Sequence, residues 1–118
     1  MRPLAVAMLA FAIAVPGLAQ TISDDSGTRL TASEKRALDA LLEVRIADAS
    51  SLRLRKLFRA GDGFYCGEMN ARTRSGSYGG FVPFYLDLTT GQVSVPPAGK
   101  PVLRAIALSD IRRRCGGG

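Results

Sequence analysis

The chain has 118 residues, with sixteen lysines and arginines against ten acidic residues and no histidine at all. That composition excludes a Ser-His-Asp triad and a Cys-His nucleophile pair. It leaves room for one small domain with a thin core. The net charge of +6 is spread along the sequence, with one tight run at Arg112-Arg113-Arg114, and spread charge of this kind serves solubility first.

Residues 1–19 have the layout of a secretory signal peptide. Arg2 supplies the positive start, Leu4 to Val15 is an apolar run of 12 residues, and Pro16-Gly17 breaks the helix. Gly17 and Ala19 are small residues at the two positions a signal peptidase reads. A transmembrane anchor needs ~20 apolar residues, so this run is too short to span. No cysteine stands near the cleavage point to take a lipid. The expectation is an exported, soluble mature chain that starts near Gln20 and keeps no stable membrane anchor. Loss of Arg2 leaves fifteen basic residues against ten acidic ones, a charge of +5.

Residues 20–30 are polar and read as a flexible leader. Thr31-Ala32-Ser33-Glu34 fits a capping box, and the spacing predicts a helix to about Ala47. Leu38, Leu41, Leu42 and Ile46 give it one apolar stripe. Leu52-Arg53-Leu54-Arg55 alternates like a half-buried strand. Lys56-Leu57-Phe58-Arg59 then breaks the alternation, which calls for a bulge or a helical turn. Gly61-Asp62-Gly63 suits a hairpin connection. Phe64–Arg72 reads as a strand, 73–80 as a Ser/Gly-rich loop, Phe81–Leu88 as a strand, and Val93–Val95 as a short return. Pro96-Pro97 stops regular pairing. Val102–Leu108 fits either strand or helix, Ser109 is a candidate N-cap for a last turn through Cys115, and 116–118 reads as a disordered tail. The fold class is therefore α+β: one amphipathic N-terminal helix packed on an antiparallel meander of three to four strands, with residues 31–115 as a single domain.

Cys66 and Cys115 are the only cysteines. An even count in a small exported domain points to a disulfide that tethers the C-terminal segment. Closing a loop of this length stabilises by ~4 kcal/mol in the chain-entropy model. The competing reading is a reactive thiol, which here has no histidine to activate it. With both cysteines bonded, no zinc site is expected, and no other cofactor.

Around Cys66 the sequence reads Cys66-Gly67-Glu68-Met69-Asn70-Ala71-Arg72, then Gly76-Ser77-Tyr78-Gly79-Gly80-Phe81-Val82-Pro83-Phe84. This resembles a family of small exported proteobacterial proteins of uncharacterised function. Their core is similar: Cys-Gly-Glu-Val-Asn-Ala-Lys, a Gly-Gly-Tyr-x-Gly loop and an aromatic strand. Upstream, Asp48-Ala49-Ser50-Ser51-Leu52 stands where the family often has Asp-Pro-x-Ser-Ala. Asp48 and Ser51 match; Ala49, Leu52, Met69 and Arg72 depart. The resemblance spans about residues 44–88. It implies an exported, periplasmic α+β domain, with secretion as the alternative, and implies no activity.

If Phe64–Arg72 is a strand, its period of two puts Cys66, Glu68 and Asn70 on one face and Tyr65, Gly67, Met69 and Ala71 on the other. Glu68 and Asn70, near Arg72 and Tyr78, are the candidate binding residues. Glu68 could serve as a general acid or base, or Glu68 and Asn70 could hydrogen-bond the glycine-rich loop and hold its backbone. One acid does not make the pair that glycoside hydrolysis uses. The glycine-rich loop has no βαβ unit around it, so no nucleotide is expected. Arg53, Arg55, Lys56, Arg59, Arg72 and Arg74, with Phe64 and Tyr65, could form a polyanion-binding face, although export argues against nucleic acid.

The leading expectation is a non-enzymatic exported domain that binds an envelope protein or an anionic envelope polymer. The alternatives are a small hydrolase-like enzyme using Glu68 with Asn70 or Tyr78, and an inhibitor or immunity-type protein acting through loop 73–80. For residues 1–19, the expectation is that they are absent from the mature protein, so that N-terminal sequencing of exported material begins at or near Gln20. Recovery of Met1 in the envelope fraction would contradict it.

Overall fold

A computed structural model describes residues 21–73 and 75–116. The expected signal peptide, Arg74 and the last two glycines of the expected tail lie outside the described residues. The elements in chain order are β1 (Thr21–Ile22), α1 (Ala32–Arg45), β2 (Arg53–Gly61), β3 (Phe64–Asn70), β4 (Val82–Asp87), β5 (Gln92–Ser94) and α2 (Pro101–Arg114), with short 3-10 turns at Asp25–Arg29 and Ala49–Ser51. The fold is α+β, and the five strands lie in the order β1-β2-β3-β4-β5.

α1 begins where the capping box predicts. The Thr31 hydroxyl accepts the Glu34 amide at 3.0 Å, and the Glu34 carboxylate accepts the Thr31 amide at 2.8 Å, so two orphan donors are satisfied reciprocally. Leu38 and Leu42 are buried, and Leu41 and Ile46 flank them. They cover the sheet face made by Leu54, Leu57, Tyr65, Met69, Phe84 and Leu86. Glu34 also accepts the Tyr65 hydroxyl at 2.6 Å, which joins the helix start to the sheet.

The sheet is more than the expected meander. β2 to β5 pair antiparallel, as read from the sequence. A fifth strand, β1, is added parallel to β2, with Thr21 opposite Arg53 and Ile22 opposite Leu54. It comes from residues 20–30, expected as a flexible leader. Ser26 and Gly27 are buried there, and Leu30 joins the core.

The reason lies in the irregularity of β2. Arg55 faces Glu68 and Phe58 faces Cys66, so Lys56 and Leu57 together oppose Gly67. Two residues against one is a β-bulge. Lys56 takes the left-handed conformation, φ 55°, a region that costs a non-glycine residue about 1 kcal/mol or more. The bulge turns two amides out of the ladder, and the segment after β1 meets both. The Asp24 carboxylate accepts from the Lys56 amide at 2.9 Å, and the Ser26 hydroxyl accepts from the Leu57 amide at 2.9 Å. The Ser26 hydroxyl in turn donates to Asp24 at 2.6 Å.

The bulge also explains Gly67. A Cβ there would lie 2.8 Å from the Leu57 side chain and 3.1 Å from the Arg55 carbonyl. β2 and β3 are joined through Asp62-Gly63, where Gly63 supplies the positive φ of 69° that a tight turn requires.

The C-terminal segment is a single helix. Pro101 stands in its first turn, where a fixed φ and a missing donor cost nothing. Ala105 and Ala107 favour helix within the following run. Ser109 therefore sits inside α2 rather than capping a separate turn. Only Ile111 of α2 is fully buried; Val102, Leu103 and Ile106 remain exposed.

Two outcomes test the bulge. Ser26→Ala leaves the buried Leu57 amide unpaired and is expected to lower unfolding free energy by about 1–3 kcal/mol in urea titration. Asp24 sits below the ordinary aspartate range because the Ser26 hydroxyl and then the Lys56 amide hydrogen-bond its charged form. A carboxyl depressed on folding contributes stability above its unfolded pKa of about 4 and loses it as pH falls through the folded value. Asp24→Asn is therefore expected to flatten the acid limb of the stability–pH curve below about pH 4, measured by thermal melts.

Candidate functional site

The sheet has a second face, opposite α1, and the sequence-predicted residues Cys66, Glu68 and Asn70 share it. Cys66 is bonded to Cys115 with a Cα separation of 6.0 Å, so the expected disulfide is present and neither sulfur is a free thiol. The bond lies over Tyr85 and Ile111, which pack with it as a small second core. The Tyr85 hydroxyl donates to Asp110 at 3.1 Å. Burial, then the bond to Asp110, pushes the Tyr85 phenol above its usual range. Burial works against the charge on Asp110, but bonds from Arg114 and Tyr85 leave it lowered overall. Both directions keep a neutral phenol donating to a charged carboxylate.

Glu68 does not reach the glycine-rich loop. Its carboxylate holds Arg55 across the strand pair at 2.6 Å, an interaction worth ~1 kcal/mol or less at this exposure. Asn70 does reach the loop: it is buried, and its side-chain oxygen accepts the Gly80 amide at 2.9 Å. Tyr78 is anchored by its hydroxyl, which donates to the Ser51 carbonyl at 2.8 Å. Arg72 bridges Tyr78 through the backbone and faces Asp48 at 3.5 Å. The two parts of the motif region, Asp48–Ser51 and Cys66–Tyr78, are thus in contact. Glu68 thus holds a strand neighbour, while Asn70 and Tyr78 tie the loop to the sheet and to Ser51.

Two surfaces result. The first is a row of stacked cations. The Arg53 guanidinium lies 3.7 Å from the Tyr78 ring centre, and that of Arg55 lies 3.9 Å from the Phe81 ring centre. Stacking of this kind is worth roughly 0.5–1 kcal/mol at exposed sites; the Arg55 Nε also donates to Glu68, which leaves its terminal nitrogens as its remaining donors. The arginines were legible as a basic alternation; their pairing with Tyr78 and Phe81 was not, because it depends on how the 73–80 loop folds back.

The second surface is a cavity of about 370 Å³ between the 3-10 turn at Asp25–Arg29, the bulge, β3 and the end of α2. Glu68, Phe58, Pro83, Ile111 and the disulfide are among its walls. Sequence reading found Glu68 and the cysteines but missed the cavity. Its one advance signal was the three-residue step from Leu54 to Leu57, which marks the bulge. Among the described residues, no cluster of acids and cysteines suited to a metal ion is present, and no helix is long and apolar enough to cross a membrane.

Comparison with protein-family models, with curated proteins and with solved structures finds no match to this chain.

The disulfide is expected to be the chief anchor of α2, since Ile111 is the helix's only buried side chain. The Cys66→Ala, Cys115→Ala double variant is expected to lose ~4 kcal/mol of unfolding free energy. Amide exchange in residues 101–114 should accelerate far more than in β3. Uniform acceleration across the chain would show that α2 is held by other means.

Proposed function

We propose that this chain is an exported, non-enzymatic binding domain of the bacterial periplasm, whose partner is an anionic envelope polymer held on the stacked face of the sheet. The observation that carries this is the pair of guanidinium–ring stacks, Arg53 on Tyr78 and Arg55 on Phe81. A stacked arginine has already given up its rotamer freedom, so less entropy is lost when it hydrogen-bonds an anion. The two lie two residues apart on one strand and project from the same face. A repeating anion such as a carboxylate- or phosphate-bearing chain can be met at both. The charge of +5 left after loss of residues 1–19 draws such a polymer in.

The groups that an enzyme would need are otherwise engaged. Glu68 holds Arg55, Asn70 holds the loop, and the Tyr78 hydroxyl holds Ser51. This weighs against the hydrolase-like alternative. A protein partner, bound by an inhibitor-type action of loop 73–80, is the second reading. It is favoured by the loop's internal ties: the Thr73 amide donates to the Ser77 carbonyl at 2.7 Å and the Gly76 amide to Thr73 at 2.9 Å.

The test is cosedimentation of mature protein with lipopolysaccharide or purified sacculi at low and high salt. Binding should weaken as salt rises, since exposed charge pairs are screened. Arg53→Gln with Arg55→Gln should weaken it about tenfold, the equivalent of 1.4 kcal/mol, with thermal stability little changed. Tyr78→Ala should weaken it too, by freeing Arg53. Capture of one envelope protein in stoichiometric amount, with no polymer binding, would favour the second reading. Turnover of a glycan, abolished by Glu68→Gln, would overturn both.

A further inference from the structure

The cavity beside the disulfide adjoins the stacked arginines at Glu68 but has its own chemistry. Cys66 and Gly67 of β3 are part of its floor. Phe58, Pro83, Ile111 and the Cys66–Cys115 disulfide give it apolar walls. At about 370 Å³ it lies within the usual range for small-ligand pockets, roughly 300–1,000 Å³.

The rim carries charge of both signs, but the signs are not equally available. Asp24 is spent on the Lys56 and Ser26 amides and the Ser26 hydroxyl. Glu68 is spent on Arg55. Arg29, Lys56 and Arg112 also line the cavity, and among the described residues none of them takes part in an ion pair. Asp25 is the one rim carboxylate without a side-chain partner there. The rim therefore offers three uncommitted cations against one uncommitted anion. They come from three separate parts of the chain: the 3-10 turn, the bulge and the end of α2. Lys56 reaches it from a backbone conformation that a glycine would adopt more readily.

We propose that this cavity binds a small anionic amphiphile, a molecule with a short apolar body and a carboxylate or phosphate head. The body would lie on Phe58, Ile111 and the disulfide, where burial stabilises it by ~25 cal/mol per Å² of apolar surface. The head would lie at the rim, where Arg29 and Arg112 can give charge-assisted, two-pronged hydrogen bonds and Lys56 adds a third cation. A cationic or neutral analogue of the same body keeps the apolar term and loses the head.

Titration of the full mature, oxidised protein with octanoate, octyl phosphate, octanol and octylammonium, followed by amide chemical shifts and calorimetry, tests this. Octanoate or octyl phosphate is expected to saturate, and a preference between them identifies the head. Octanol should bind about tenfold more weakly or worse, and octylammonium more weakly still. Shift changes should centre on Phe58, Gly67 and Ile111. Arg29→Gln with Arg112→Gln should weaken octanoate about tenfold, and Asp25→Asn should tighten it. All three side chains are exposed, so melting temperatures should hold; if the double variant fails to fold, the head-group series on the unaltered protein still decides. Equal binding of octanol and octanoate, equal binding of inorganic phosphate and octyl phosphate, or shifts confined to Val102 and Ile106 would each overturn the proposal.

Discussion

The bulge at Lys56–Leu57 sets the geometry on both faces of the sheet. A strand shows alternate residues to alternate sides, so Leu54 and Leu57 would face opposite ways in a regular β2. The core under α1 holds both. One extra residue, Lys56, restores the parity and returns Phe58 to the side of Cys66 and Glu68. The amides thrown out of the ladder would be costly if left unpaired near the core. Asp24 and Ser26 accept them, and in doing so fasten residues 21–30 to the sheet edge. The parallel strand β1, the glycine at position 67 and the 3-10 wall of the cavity all follow from that one inserted residue.

The two covers of the sheet are held by different physics. α1 lies on a broad apolar face, and removal of leucine surface from water holds it there. α2 has little such surface: its inward side is Ile111, half-buried neighbours and a tyrosine–aspartate hydrogen bond. Most of its apolar residues, Val102, Leu103 and Ile106, face out. A covalent tether compensates, because a disulfide stabilises without asking the helix to bury area. The tether grips the C-terminal end of α2 and holds Arg112 against the rim of the cavity.

Elements with a strong local signal were legible in the sequence. The capping box and the leucine stripe locate α1 to within two residues at its end. The cysteine count, read with the signal-like layout of residues 1–19, anticipates the disulfide. The break at Lys56 was readable as an irregularity but not as a choice between bulge and turn, since that choice is made by the acceptors on Asp24 and Ser26, thirty residues upstream. For the same reason residues 20–30 read as a leader: they are polar because they cap the bulge, and polar composition alone looks like solvent exposure. α2 was ambiguous because a seven-residue stretch that is apolar except for Arg104 is too short to fix a period; Pro101 and the alanines decide it. Of the four candidate site residues, Asn70 proved to hold the loop, as one of the two readings of its chemistry had it. Glu68 holds a strand neighbour instead.

Glu68 connects the two candidate surfaces. Its carboxylate lies at the cavity wall, while the guanidinium it holds lies stacked on Phe81 at the other surface. A bare carboxylate in that wall would repel an anionic head; at an effective dielectric constant of about 20, two like charges a few ångströms apart interact by several kcal/mol. Arg55 cancels that repulsion as long as it stays on Glu68. The same ion pair holds Arg55 in the orientation that stacks it. The glutamate of the Cys-Gly-Glu segment is thus best understood as a positioning charge: it aims an arginine outward, and the arginine in return leaves the cavity to the cations of its rim.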